Sequence, residues 1–163
     1  MIVVSDTSAL SNLAIVEQLA LLQYLYNKVV IPQAVADELI RASPENAIIK
    51  TVLALDWIEI RQVRNLLLVE SLRRDRELDA GEAAAIALTV ELQAQRLLID
   101  ERAGRREAIR LGLAVTGVLG VLIAAKAEGV LPAVKPVLDR LIQRAGFWVS
   151  EPLYAEILQA AKE

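Results

Sequence analysis

The chain contains no cysteine and no histidine. Those two absences exclude thiol nucleophiles, histidine general bases, serine–histidine triads and the usual zinc ligand sets. Carboxylates, hydroxyls, lysines and arginines remain for chemistry, and oxygen-only donor sets suit hard cations such as Mg2+ or Mn2+. Long apolar runs are also missing. The longest candidate, LGLAVTGVLGVLIAAKAEG, is interrupted by glycines and stops at Lys126, short of the ~20 uncharged residues that span a bilayer. No basic-then-apolar leader precedes Val3, so the expectation is a cytoplasmic protein with no membrane role. A surplus of positive charge is absent too: the net charge is −3, which gives no global signature for nucleic acid.

What is present is apolar. Of the 163 residues, 55% are hydrophobic, high for a single soluble domain, and the surplus favours an oligomer or a protein partner. The basic residues are mostly arginine, 13 against 5 lysines. Arginine presents a rigid donor fork that matches phosphate, and it also pairs with acids structurally.

Five short stretches read as strands: MIVVS, KVVIP, WIEIRQV, RLLID and LAVTG. Helical patterning runs from Ser8 to about Tyr26, then from Pro32 at a first turn to about Ala42, ended by Ser43-Pro44. Another helix leads into WIEIRQV, and others cover Leu66 to Arg76, Ala80 to Ala94 and ERAGRREAIRLG. From Val118 to Glu163 the pattern is helical with breaks at Gly129, Pro132 and Gly146. Strands alternating with helices predict an α/β fold, a mainly parallel central sheet flanked by helices. One domain over residues 1–163 is expected, with a C-terminal helical extension from roughly residue 132.

In such a sheet, ligands bind beyond the carboxyl ends of the strands. Asp6 follows IVVS and Asp100 follows LLI, so both occupy that position. Each also fits an N-cap of the helix after it. Glu38, in IPQAVADELIRA, lies on the flank of a stripe formed by Val35, Leu39 and Ala42, where it can lean into a cleft or pair with Arg41 or Arg61. The helix in LDAGEAAAIALTVELQA is apolar nearly all round, the mark of a buried element. Glu82 stands at its N-terminal end on a stripe with Thr89 and Gln93, and fits either a capping box on Asp79 or an interior acid that needs a partner. Two carboxylates ~5 Å apart repel by about 3 kcal/mol at an effective dielectric near 20, so a convergence of these four would take up protons or a divalent cation. Arg102, Arg105, Arg106 and Arg110 form one rough face on the helix after Asp100, either a solvated face with Glu101 and Glu107 or a guide for RNA backbone.

The segments VVSDTSALSNLA, IPQAVADELI, LDAGEAAAIAL and LLIDERAGRREAIRLGLAVTGVLGVL, in that order, resemble the PIN-domain family, specifically its VapC-like branch of toxin ribonucleases. The closing GFWVSEPLYAEIL is similar to the tail of one PIN subfamily, so the resemblance covers nearly the whole chain. It implies a PIN-like three-layer sandwich and Mg2+- or Mn2+-dependent cleavage of single-stranded RNA. It also implies an antitoxin partner and usually a homodimer. By the same resemblance Asp6, Glu38, Glu82 and Asp100 are the catalytic acids, with Asp6, Glu82 and Asp100 on the metal. The resemblance also makes Ser8 the hydroxyl beside Asp6; from the arginine spacing, Arg102, Arg105 and Arg106 are expected to meet the substrate together with Ser8. The third acid, often Asp in the family, is Glu here, and Thr116 stands where a further acid sometimes follows the next strand.

Two other classes compete. A haloacid-dehalogenase-like phosphohydrolase also begins with a strand ending in D-x-D, but the second acid here is Ser8 and no well-placed lysine precedes Asp100. A PIN fold without catalysis, acting through protein contacts, is motivated by the apolar surplus and the Phe147-Trp148 pair.

Overall fold

The structure, a computed structural model, describes residues 1–42 and 47–163. Five strands form one sheet: β1 (Val3–Ser5), β2 (Val29–Pro32), β3 (Ile58–Arg61), β4 (Arg96–Leu98) and β5 (Val115–Thr116). Every pairing is parallel and the spatial order is β3-β2-β1-β4-β5. The short β-branched runs explain the strands: β1 and β2 are buried along their whole length, as expected where helices cover both faces.

That order decides where a site can form. From β1 the chain steps outward through β2 to β3, then returns to lay β4 on the other side of β1. The connections after β1 and β4 therefore leave in opposite directions. A crevice opens between the carboxyl ends of those two strands, the topological switch point of an open parallel sheet. Asp6 and Asp100 emerge there, and the Asp6 amide donates to the Leu98 carbonyl at 3.0 Å.

Around the sheet lie α1 (Thr7–Ile15), α2 (Ala20–Tyr26), α3 (Gln33–Ala42), α4 (Ala47–Leu53), α5 (Leu66–Asp75), α6 (Ala80–Leu92), α7 (Arg102–Arg110), α8 (Val118–Ala127), α9 (Lys135–Arg144) and α10 (Glu151–Ala160). The helix expected from Ser8 to Tyr26 is two, because the chain turns at Glu17, whose φ of 58° no helix accommodates. Pro32 does not open α3. It is the last residue of β2, opposite Arg61, where its missing N–H still permits parallel pairing. Val35, Ala36 and Leu39 are the buried face of α3, whereas Ala42 is exposed at its end. The Ser43-Pro44 break lies outside the described residues.

The apolar surroundings of α6 are as its composition predicts: Gly81 and every residue from Ala83 to Thr89 are buried. The Thr89 hydroxyl satisfies itself on the Ala85 carbonyl at 2.7 Å, while Gln93 ends the helix in a left-handed conformation and is exposed. One apolar cluster joins Val3, Leu10 and Leu98 to Leu122, Leu138, Leu141 and Ile157, so the C-terminal helices share the core of β1 and α1. A second holds Val4, Leu72, Ile86, Leu97 and Ile99 on the opposite face of the sheet. The C-terminal segment is pinned by Glu163, whose carboxylate accepts from the Val134 and Lys135 amides at 2.7 and 3.1 Å and from Lys126 Nζ at 3.0 Å.

Candidate active site

At the end of β1 the backbone turns directly into α1, and Asp6 is its N-cap. Its Oδ1 accepts from the Ala9 amide at 3.1 Å and its Oδ2 from the Ser8 hydroxyl at 3.2 Å. Both neighbours favour the charged form. Burial outweighs them: the side chain is almost fully enclosed, and desolvation raises its pKa from 3.8 to about 7, with Asp100 and Glu82 pushing the same way. The cap therefore exists, and it holds a carboxyl that half the molecules keep protonated near neutral pH.

Asp100 lies two residues past β4, yet it does not cap the helix that follows. The N-cap of α7 is Glu101, whose side chain makes no capping bond. Asp100 reaches across instead to the Val118 amide at the start of α8, at 3.1 and 3.3 Å. The N-cap of α8 is Gly117, which has no side chain to offer, and Asp100 supplies the missing acceptor. Burial raises the Asp100 pKa, opposed by the Val118 N–H and the nearby Arg105 guanidinium.

Glu82 forms the capping box: its Oε2 accepts from the Asp79 amide at 3.1 Å while Asp79 Oδ1 accepts from the Glu82 amide at 2.8 Å. Its pKa is raised, chiefly by burial and then by the carboxylates of Asp79, Glu101 and Glu38. Glu38 does lean inward from α3, and it pairs with neither Arg41 nor Arg61. Thr7 Oγ1 donates to its Oε2 at 2.5 Å.

Asp6, Glu38 and Glu82 thus line one cavity of about 410 Å3, together with Ser8. Asp100 faces the adjoining hollow with Arg102, Arg105, Arg106 and Ile109. Sequence reasoning missed two acids of the first cavity, Asp79 and Glu101, and the face of α1 that continues Ser8 through Ser11, Asn12 and Ile15. The signal for that face was present as i, i+3, i+4, i+7 spacing from Ser8. Of the arginine face, Arg105 is committed to the Ile99 carbonyl at 2.9 Å and Arg110 to the buried Glu107 at 2.7 Å. Arg102 and Arg106 are exposed and have no ion pair among the described residues. The Thr116 hydroxyl is taken by Arg96 Nη1.

Glycines let the acids approach backbone. A Cβ on Gly81 would overlap Glu38 Oε2, and one on Gly117 would overlap Asp100 Oδ1. The donor set, all carboxylate oxygen with three members held above their usual pKa, has the chemistry a hard divalent cation satisfies. Among the described residues, however, no three acids stand together as a ready cage. Each is engaged with its own N–H or hydroxyl, and Glu38 and Glu82 are each bonded through Oε2, with Oε1 left for an ion. Gly117→Ala is expected to displace Asp100 and loosen the start of α8 together. Thermal denaturation should show a loss of about 1–3 kcal/mol, the usual size of core overpacking. The matching change at Gly112, where nothing lies near, would strain only its positive φ.

Comparison with known proteins agrees with this architecture. The family profile described as a PIN domain matches residues 2–163. No curated protein matches the chain. The match spans the sheet, the switch-point acids and the C-terminal helices alike, and PIN domains are generally nucleases; the chain belongs to the PIN-domain family.

Proposed function

We propose that this chain is a Mg2+- or Mn2+-dependent endoribonuclease that cleaves single-stranded RNA. The observation that carries the reading is Asp6: a buried carboxyl at the switch point, close enough to Asp100 and Glu82 for each charge to disfavour its own. Asp6, Glu82 and Asp100 would hold the ion, and Glu38, turned inward on Thr7, would complete the acidic wall. A bound divalent ion supplies activation of water and relief of the negative charge on the phosphodiester. Ser8 orients the Asp6 carboxylate through its hydroxyl, and Asp6 keeps its place because the α1 cap fixes it. Arg102 and Arg106, without an ion pair among the described residues, would hold the RNA backbone beside Asp100, with Arg105 closing the rim.

The motif order quoted above supports a toxin of a type II toxin–antitoxin pair, with an antitoxin protein as partner. A homodimer fits the exposed apolar surface, in which Leu66 and Leu67 are 62% and 79% accessible. Among the described residues no helix is long and apolar enough to cross a membrane. One observation favours a second reading, a catalytically silent PIN-fold binding module: the four acids are separately bonded rather than grouped. RNA cleavage with Mn2+ added or chelated separates the two. Cleavage that requires the ion supports the nuclease; RNA left intact under both conditions supports the module.

A further inference from the structure

Strand β3 stands at one end of the sheet, so one of its edges has no neighbouring strand. Its register decides which groups that edge presents. The Val29 amide donates to the Trp57 carbonyl at 3.0 Å, and Val29, Val30 and Ile31 stand opposite Ile58, Glu59 and Ile60. Bonding groups alternate along a parallel ladder, so Glu59 and Arg61 turn their amides to β2 while Ile60 turns both its amide and its carbonyl outward. Neither of those Ile60 groups has a partner among the described residues. The Ile58 amide is closed off by the Leu55 carbonyl at 3.3 Å, and the Ile58 carbonyl faces out beside Ile60. Ile60 is 40% exposed and shares a face of the strand with the buried Ile58. Glu59 and Arg61 share the other face, paired at 3.0 Å through Arg61 Nε, with Lys28 Nζ 3.4 Å from the same carboxylate.

An open strand edge is a template for another strand, and charges along it usually deter pairing. Here the charges select a register instead. Two copies of β3 can match their outward groups antiparallel about a twofold axis at Glu59, at Ile60 or at Arg61. An axis at Glu59 sets the two Glu59 side chains against each other, and an axis at Arg61 does the same to the two arginines. Only the axis at Ile60 sets each Glu59 opposite the partner's Arg61, and there the two Ile60 residues exchange both N–H···O bonds. We propose that β3 pairs with β3 of a second copy, antiparallel and centred on Ile60, so that the two sheets become continuous. This gives the homodimer of the preceding reading its interface and rests on that homodimer, not on ribonuclease activity. The Arg61 bond within the strand uses Nε, which leaves the outer guanidinium nitrogens for the partner's Glu59. Ile60 lies against Ile60 of the partner subunit, covering apolar surface that is otherwise wet. Because the strands run oppositely, the two acid crevices open at opposite edges of the joined sheet, and each copy keeps its own site.

Sedimentation equilibrium of the full chain at micromolar concentration reads the outcome. The unaltered chain is expected at twice the 17.8 kDa of one copy. Glu59→Arg makes the edge wholly positive and Arg61→Glu makes it wholly negative. Each alone is expected to weaken the dimer at least about tenfold, since like charges directly opposite destabilise a strand pair. Mixed in equal amounts, the two variants set every cation opposite an anion and should dimerise with each other, a rescue that no loss of fold can imitate. Ile60→Pro removes the outward N–H and none of the amides that β2 uses, a position where an edge strand accepts proline. It should leave a monomer with unchanged circular dichroism. Undiminished self-association of both charge variants, or a mixture no more dimeric than its parts, would overturn the β3 interface. If the unaltered chain is still a dimer in that case, the homodimer stands on another surface, with the exposed Leu66 and Leu67 the first to be changed. An unaltered chain that sediments as a monomer ends both.

Discussion

Asp6→Asn is expected to lower Mn2+-dependent RNA cleavage by roughly a thousandfold while leaving the protein folded. The substitution is informative because it separates the two roles the residue holds. Asn caps a helix about as well as Asp, so the bond from the Ala9 amide survives and α1 keeps its start. What disappears is the negative charge at the switch point. Losing a partner one shell outside a metal typically costs 10–100-fold, and loss of a charged ligand should exceed that. With its one oxygen on the Ala9 amide, Asn turns an NH2 toward Ser8, so that bond reverses and the Ser8 hydroxyl accepts. The assay is cleavage of a labelled single-stranded RNA, run with Mn2+ and with chelator, on both proteins. Cleavage that persists in Asp6→Asn and survives chelation would falsify the metal-dependent mechanism. A simple cap at Asp6 predicts no difference between the two proteins.

The same substitution should make the metal-free protein more stable at pH 8. Folding raises the Asp6 pKa from 3.8 to about 7. Below about pH 4 the group is neutral in both states and contributes nothing. Between about pH 4 and 7 the unfolded chain ionises while the folded one keeps its proton, so stability falls as pH rises. Above about pH 7 both are charged and the full cost is present, of order 4 kcal/mol for a shift of about three units. Glu82 and Asp100 are also raised by burial, so their contributions have the same sign. Folding lowers the pKa of Glu59, Asp75, Asp139 and Glu163, so their favourable contribution is full above the ordinary carboxylate range and is lost as pH falls through and below it, mostly outside a comparison of pH 5 with pH 8. Urea denaturation in chelator should therefore show the unaltered chain weaker at pH 8 than at pH 5, by a few kcal/mol. Asp6→Asn should flatten much of that slope. A steeper loss at pH 5 than at pH 8 would contradict the burial argument. Activity and stability thus pull oppositely on one side chain, the usual relation at a site built from charge held out of water.

The strands were legible because short β-branched runs between helical patterns admit few other readings, and two of them end in an acid. Asp6 behaves much as its neighbours suggest, since a cap bond spans only three residues. Asp100 is different. Its partner, Val118, is 18 residues away, and the reason for the pairing is a glycine that lacks an acceptor, which local patterning does not reveal. Glu38 was correctly placed at the edge of an apolar stripe, but its bond to Thr7 depends on how α3 meets α1. Asp79 and Glu101 looked like ordinary capping and surface acids; only the bend of the chain around the switch point brings them to the same cavity. Pro32 and Glu17 show the converse, where backbone geometry moved a boundary that composition had set elsewhere.

Because Asp100 holds the first amide of α8, the carboxylate and the C-terminal third of the chain share a single hydrogen. That amide is a native indicator for the site. Any event that draws electron density from Asp100, whether a proton or a cation, weakens the acceptor and shifts the Val118 resonance, although Val118 itself is buried in the core. The helix start therefore carries a spectroscopic record of what the acid is doing, readable in a single nitrogen–proton correlation without any label introduced at the site.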